Sequence, residues 1–539
     1  NEFEGVKVSI PKTVVLCTDV FDQFIDNNNL YQLALSDAPD EEILQAFIKA
    51  QLPDQFIDDF KTFFEAIRHP IAIRSSSLLE DSHYQPFAGI YSTYMIPYLD
   101  DKDEMLRMLA AAIKSVYASV YFKDSKAYMT ATRNVIDQEK MAVILQEVVG
   151  KQYGDHFYPN FSGVLRSINY YPLGYEKSEE GIASLALGLG KYIVDGGQTL
   201  RVSPYHPTQV LQTSDMEIAL RQTQTQFYAL DMKRVGVDFK VDDGFNILKL
   251  KVKDAENDGA LNFIASTYDA NDRVIRDGLY DGGRKIVSFN GVLRHGVFPL
   301  PELLKLSMHH GADSMRRPVE IEFACTLNDD RTGEFYLLQI RPIVDSKQVL
   351  DQDIMTIPDD KCLLRSHNSL GHGVSDDIVD VVYVKTDENF TASDNPVVAM
   401  EVERINKKFL ADGKNYVLVG PGRWGSSDSW LGVPVKWSHI SAAKLIVETT
   451  LKNYSVDPSQ GTHFFQNLTS FGVGYFTIDE NKGMGFFRKE ILDAMPAVEE
   501  TPHVRHVRFS KPLHIMMDGM KQEGLVICDT EDAKGNDAR

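Results

Sequence analysis

The sequence predicts a mixed α/β protein of more than one domain, and three observations carry that reading. At 539 residues the chain is about three to four domain lengths, too long for a single core. From Ile71 to Pro204, short β-branched runs alternate with segments of helical period, the pattern of sheets covered by helices. Two strand-like runs, VEIEFACT and EFYLLQIRPI, flank the turn-rich LNDDRTG, which reads as a hairpin.

Taken in order, the chain opens with a strand over SIPKTVVLCTDVF and then two helical stretches, LYQLAL and EEILQAFIKAQL, whose apolar residues recur every three or four positions. Next come IAIRSSS, the helix EMLRMLAAAIKSVYASVYF, KMAVILQEVV, SGVLRSINYY and the glycine-rich LALGLGKYIVDGG. Residues 205 to 300 are more polar and give no clear assignment. Helix resumes at PELLKLSMHHGADSM before the hairpin. The expected organisation is a first domain over 1–345, a linker over 346–360 (VDSKQVLDQDIMTIPDDK lies across it), a second α/β domain over 361–525, and a polar tail over 526–539. No internal repeat is visible.

Hydrophobic residues at 43% and charged residues at 25% place the chain among packed globular proteins rather than disordered or collagenous ones. A net charge of −21 argues against nucleic acid or an anionic membrane as partner, because such binding draws on Lys and Arg displacing counterions. The four cysteines, Cys17, Cys325, Cys362 and Cys528, have no paired spacing, so neither a zinc site nor a disulfide framework is expected, and a reducing cytoplasm fits best. No apolar run is read as long enough to cross a bilayer, and the first residues lack a secretory pattern. The oligomeric state is left open, a homo-oligomer included.

Chemistry concentrates in few places. Arg74 ends an apolar strand and is followed by serines from Ser75 and the acidic pair Glu80 and Asp81. A guanidinium with neighbouring hydroxyls can hold phosphate oxygens, although a serine-rich surface loop has the same composition. On VEIEF, alternation puts Glu320 and Glu322 on one face with no compensating base beside them. Such oxygens suit Mg²⁺; a solvated strand face with an apolar back is the alternative. Gln339 and Arg341 share a face on YLLQIRP. The turn LALGLGKYI is not a P-loop, since Leu185 and Tyr192 stand where that motif needs Gly and Ser or Thr.

In sequence order these segments resemble the nucleotide-binding domain of the phosphoenolpyruvate synthase and pyruvate phosphate dikinase family. IRSSSLLEDSHYQPFAG is similar to its VRSSATAEDLP...FAG signature, KMAVILQEVV to its adenine-hinge strand, SGVLRS to its SGV strand, LGLGKYIVDG to its GLGE..V.G turn, and VEIEFA with FYLLQIRPI to its closing IEWA and LQxRP pair. The resemblance implies an ATP-grasp domain that binds ATP through Arg74, Ser75, Glu80, Gln146, Glu147, Val148, Gly188, Gly190, Gln339 and Arg341, and Mg²⁺ through Glu320, Glu322 and Gln339. Family members carry Glu where this chain has Lys191. A glycine-rich segment with a phosphate-binding Lys is expected upstream of Asn1.

The second half carries all three tryptophans, Trp424, Trp430 and Trp437, within VLVGPGRWGSSDSWLGVPVKW. Clustered rings of this kind build a satellite core or a recognition surface, and the core is favoured. Further on, DPSQGTHFFQNLTSFGV resembles the family's phosphohistidine segment GGxTSHAA...LG, with His463 as the carrier and Gly472 at the family's glycine, in a swivelling α/β domain. Here Thr462 adjoins the histidine, and Phe464 and Phe465 follow it. A histidine packed among these rings is an equal reading. No segment resembles the family's pyruvate-binding barrel. The function expected is phosphoryl transfer from ATP to His463 and on to an unidentified acceptor. The alternatives are a nucleotide sensor with a decayed carrier and a ligase making acyl-phosphate.

Overall fold

The computed structural model describes residues 3–77, 91–131, 139–169, 176–343, 354–386, 390–450 and 473–529, apart from positions 215, 237, 427 and 520. It divides into two compact units, one built from Asn1–Asn169 and Leu173–Ile343, the other from Val344–Arg539.

The opening segment forms two strands, not one. Val6–Ser9 runs parallel to Gly333–Pro342 at the edge of a six-stranded sheet. Thr13–Leu16 lies antiparallel to Met141–Glu147 at the edge of a separate four-stranded sheet. Pro11 stands between them; it has no N–H to give a ladder, which suits a crossing from one sheet to another. The expected strand also ran too far, because Thr18–Asn27 is helical and buries Val20, Phe21, Phe24 and Ile25 along one stripe.

The six-stranded sheet sets the frame of the first unit. Its order is Val6–Ser9, Gly333–Pro342, Val319–Leu327, Phe161–Arg166, Ile182–Ala186, Leu200–Val202. The expected hairpin is present, with Val319 opposite Pro342 and Leu327 opposite Gly333. Alternation gives this sheet two unlike faces. Val319, Ile321, Phe323 and Cys325 point into the main core with Leu165 and Leu185. Against them lies the helix Leu300–Met315, which presents Leu300, Leu303, Leu304, Met308 and Gly311 at three- and four-residue spacing. Gly311 allows this close approach, since a Cβ there would sit 2.8 Å from Ile340 Cδ1 and 3.1 Å from Val319 Cγ2.

The smaller sheet pairs Thr13–Leu16, Met141–Glu147, Ile71–Ser77 and Tyr94–Ile96 in that order. Its covering helix runs from Lys102 to Ser119. The stretch Lys102–Ala127 is long and apolar enough to cross a membrane, contrary to the sequence reading, yet 78% of its apolar window is buried within the fold. Residues 205 to 300, unassigned from sequence, form the strands Gln226–Asp231 and Ile247–Lys251 and a three-stranded sheet, Val274–Asp277, Ala265–Asp269, Arg284–Val287.

The second unit is built on a mixed sheet. The neighbours His372–Val384, Tyr416–Pro421, Ala443–Thr449 and Gly474–Ile478 run parallel, with the helix Asn395–Ala411 crossing over between the first two. Trp424 and Trp437 are buried as a satellite core requires, whereas Trp430 is 69% exposed. Beside Trp424 the Glu448 carboxyl accepts its backbone N–H at 3.1 Å and the Tyr475 hydroxyl. Burial pushes that carboxyl up to about 7. His463 and Gly472 lie outside the described residues.

Phe323 tests the core face of the large sheet. Its ring stacks on Phe335 with centroids 5.0 Å apart, and it is 1% exposed. Phe323→Ala is expected to lower unfolding free energy by about 3–5 kcal/mol in urea melts. A loss below about 1 kcal/mol would show that this face does not carry the core.

Candidate functional site

The site is assembled where the smaller sheet meets the polar face of the large one. On the large sheet, Glu322 faces Gln339 across the hairpin and Glu320 faces Arg341, so alternation brings all four to one side. The ladder shifts between Glu322 and Phe323, with Leu337 opposite Phe323, which leaves Leu338 as an extra residue. Beyond the bulge Tyr336 lies opposite Ala324 and Glu334 opposite Thr326. The same face therefore continues along the whole hairpin.

Arg74 reaches this face from the strand Ile71–Ser77. Its Nη2 donates to Glu322 Oε2 at 3.2 Å and to Gln339 Oε1, and its Nη1 to Gln146 Oε1 at 3.2 Å. Arg341 Nη2 donates to Glu322 Oε1 at 3.1 Å and to the same Gln339 oxygen at 2.9 Å. Gln146, from the neighbouring strand Met141–Glu147, donates to the carbonyl of the bulged Leu338 at 3.2 Å. Arg74, Gln146, Glu322, Gln339 and Arg341 thus meet, although 265 residues separate Arg74 from Gln339. Of the charged groups, two are guanidiniums and one is a carboxylate. Charge-assisted bonds of this kind are the stronger class, and the guanidinium fork matches phosphate oxygens as well as carboxylates.

The expected pair of uncompensated acids is not what forms. Glu322 lies between Arg74 and Arg341. Glu320 is buried, and Arg166 Nε on the next strand donates to its Oε2 at 2.7 Å. The sequence reading looked only along one strand, whereas a base can arrive from the strand alongside. A Mg²⁺ ion prefers a carboxylate together with neutral oxygens and phosphate. Glu322 and Gln339 offer that set, and Glu320 is committed to Arg166.

Ser75 follows Arg74 on its strand, so its side chain takes the opposite, buried face with Ile71 and Ile73. It does not join the cluster. Glu80 lies outside the described residues. Glu147 and Val148 line a cavity of about 530 Å³ whose far wall includes Thr326, Glu334 and Tyr336 from the polar face, with Lys151 and Met232. Glu147 pairs with His69 at 3.2 Å. The Tyr336 hydroxyl donates to Glu334 at 2.6 Å. Burial alone would raise the Glu334 carboxyl, but that bond and Lys7 hold it below the usual value. The sequence reading missed this wall, because strict alternation back from Gln339 gives Leu337 and Phe335, and only the extra residue at Leu338 turns Tyr336 and Glu334 to this face.

Gly188 and Gly190 border the large sheet. Gly188 has φ +87, and a Cβ there would lie 2.6 Å from the Tyr228 carbonyl, so the turn requires glycine. Lys191, next in the chain, is tied to Asp195 and Asp243.

The Arg166–Glu320 pair supplies a test. Arg166→Met leaves a buried carboxylate alone and is expected to cost about 3–5 kcal/mol of stability, while adding Glu320→Leu should recover most of it. Urea melts of the single and double variants check this. Equal losses in both would mean that the pair is not a unit.

Comparison with known proteins fits this arrangement. Residues 2–361 match the family model described as pyruvate phosphate dikinase, AMP/ATP-binding domain. A protein of Bacillus subtilis (strain 168) named "Uncharacterized phosphotransferase YvkC" is 26% identical over 190 residues, 35% of this chain and 20% of the relative. The match thus spans about a fifth of that relative's length. With a family model covering more than half of its residues and a site that gathers guanidiniums, a carboxylate and amide oxygens on one sheet face, the chain belongs to the pyruvate phosphate dikinase AMP/ATP-binding family.

Proposed function

We propose that this protein is an ATP-dependent phosphotransferase of the dikinase type, moving a phosphoryl group from Mg·ATP to His463 and then to an acceptor not identified by its sequence. The observation that carries the reading is the meeting of Arg74, Glu322, Gln339 and Arg341 within hydrogen-bond reach. Phosphoryl transfer is driven by positioning and charge neutralisation rather than by covalent help from the protein. Among the described residues of the cluster, two guanidiniums stand against one carboxylate, a balance suited to phosphate oxygens.

In this reading Glu147 and Val148 would hold the base, and Arg74 and Arg341 would hold phosphate oxygens. Mg²⁺ would be held by Glu322 and Gln339, where it would neutralise charge developing on the phosphate oxygens. Glu320 is left out of that set, since Arg166 holds it. Phosphate oxygens that took over the guanidinium bonds would leave the oxygens of Glu322 and Gln339 available to a metal.

A second reading is a nucleotide sensor whose carrier has decayed. Phe464 and Phe465 directly after His463, in place of small residues, favour it. Incubation with ATP labelled at the β and at the γ phosphate separates the two. Acid-labile label on His463 supports the transferase, and ATP binding with no label supports the sensor.

Arg341→Ala is expected to lower the rate of ATP-dependent labelling by about 10²–10³-fold, the usual effect of removing one preorganised donor to a developing negative charge. Stopped-time labelling at saturating ATP measures it. An unchanged rate would remove Arg341 from the reaction.

A further inference from the structure

Lys191 opens the short helix Lys191–Val194 directly after the glycine turn. Its amine lies 3.1 Å from Asp243 Oδ1 and 3.3 Å from Asp195 Oδ1, and all three side chains are partly buried. Burial alone would pull the amine down, but the two carboxylates outweigh it and keep Lys191 protonated. Burial and the charge of Asp243 push the Asp195 carboxyl the other way, above its usual value. Lys191 is therefore what allows two carboxylates to share a desolvated spot.

Asp243 belongs to the connection between the strands Gln226–Asp231 and Ile247–Lys251, and this connection grips the smaller sheet. The other oxygen of Asp243 accepts the backbone N–H of Thr93 at 2.9 Å. The Lys240 carbonyl accepts the Tyr94 hydroxyl at 2.8 Å, and Asn246 donates to the Met95 carbonyl. Phe239 and Phe245 pack around the Tyr94 ring, with centroids at 5.4 and 6.3 Å. Tyr94 in turn is the register partner of Ile73, the residue before Arg74.

One connection thus holds the strand edge beside Arg74, and Lys191 ties that connection to the glycine turn beside the large sheet, where the turn follows the strand Ile182–Ala186. We propose that Lys191, Asp195 and Asp243 form a clasp that fixes the distance of Arg74 from Glu322, Gln339 and Arg341, which makes Lys191 a positioning residue rather than a nucleotide contact. Its consequence for nucleotide rests on the ATP-site reading above; the clasp itself does not.

Without Lys191, two carboxylates face each other in a poorly solvated place and the connection lifts. Amide hydrogen exchange of the free protein reads this directly. Lys191→Met is expected to speed exchange of residues 93–96 and 232–246 by about tenfold or more, with Lys191→Arg close to the parent. Lys191→Met/Asp243→Asn, which removes the repulsion, should return exchange at least halfway on a logarithmic scale. The dissociation constant for Mg·ATP, measured by calorimetry, should rise about tenfold in Lys191→Met and follow the same order. Unchanged exchange at residues 93–96 in Lys191→Met overturns the clasp. Should that variant fail to fold, Lys191→Gln carries the same expectation for residues 93–96, and unchanged exchange there overturns it equally. Failure of the parent protein to bind Mg·ATP would overturn the ATP-site reading while leaving the exchange result to judge the clasp.

Discussion

The first unit depends on one carboxylate held between two guanidiniums that come from different sheets. Arg74 and Arg341 both donate to Gln339 and to Glu322. Two such cations about 4 Å apart repel by about 4 kcal/mol at an effective dielectric typical of a protein surface. The Glu322 charge and the Gln339 dipole offset that repulsion without cancelling the positive excess.

Its surroundings divide the work between sheet faces. The core face supplies burial of Ile321, Phe323 and Cys325 against the Leu300–Met315 helix, so that the opposite face can be polar without loss of rigidity. Arg166 neutralises Glu320 and confines the charge imbalance to Glu322 and its partners. A strand with two exposed acids would have been a softer support, since like charges on one face repel.

Much of this was legible in the sequence, because strand alternation is a strict period. The common face of Glu320 and Glu322, and that of Gln339 and Arg341, follow from it directly, whereas their register across the hairpin does not, because the extra residue at Leu338 shifts it. Arg74 could be placed by resemblance but not by local pattern. The partners that were missed, Arg166 for Glu320 and Asp243 for Lys191, come from strands and loops distant in the chain. Residues 205 to 300 resisted assignment for a related reason: their strands are short, and the Ile247–Lys251 strand is not a buried one, so no apolar period marks them. Ser75, also placed by resemblance, falls on the opposite side of its strand from Arg74 by the same period.

The extra residue at Leu338 has a consequence for how this hairpin tolerates change. Because it sits between Phe335 on the core side and Gln339 on the polar side, it resets the parity of everything after it. Deleting that single amino acid would make the pairing continuous, Phe323 with Leu337 and Glu322 with Gln339, and leave Arg341 on the polar side, but would remove the carbonyl to which Gln146 donates. What position 338 supplies to the site is therefore a main-chain acceptor rather than a side chain.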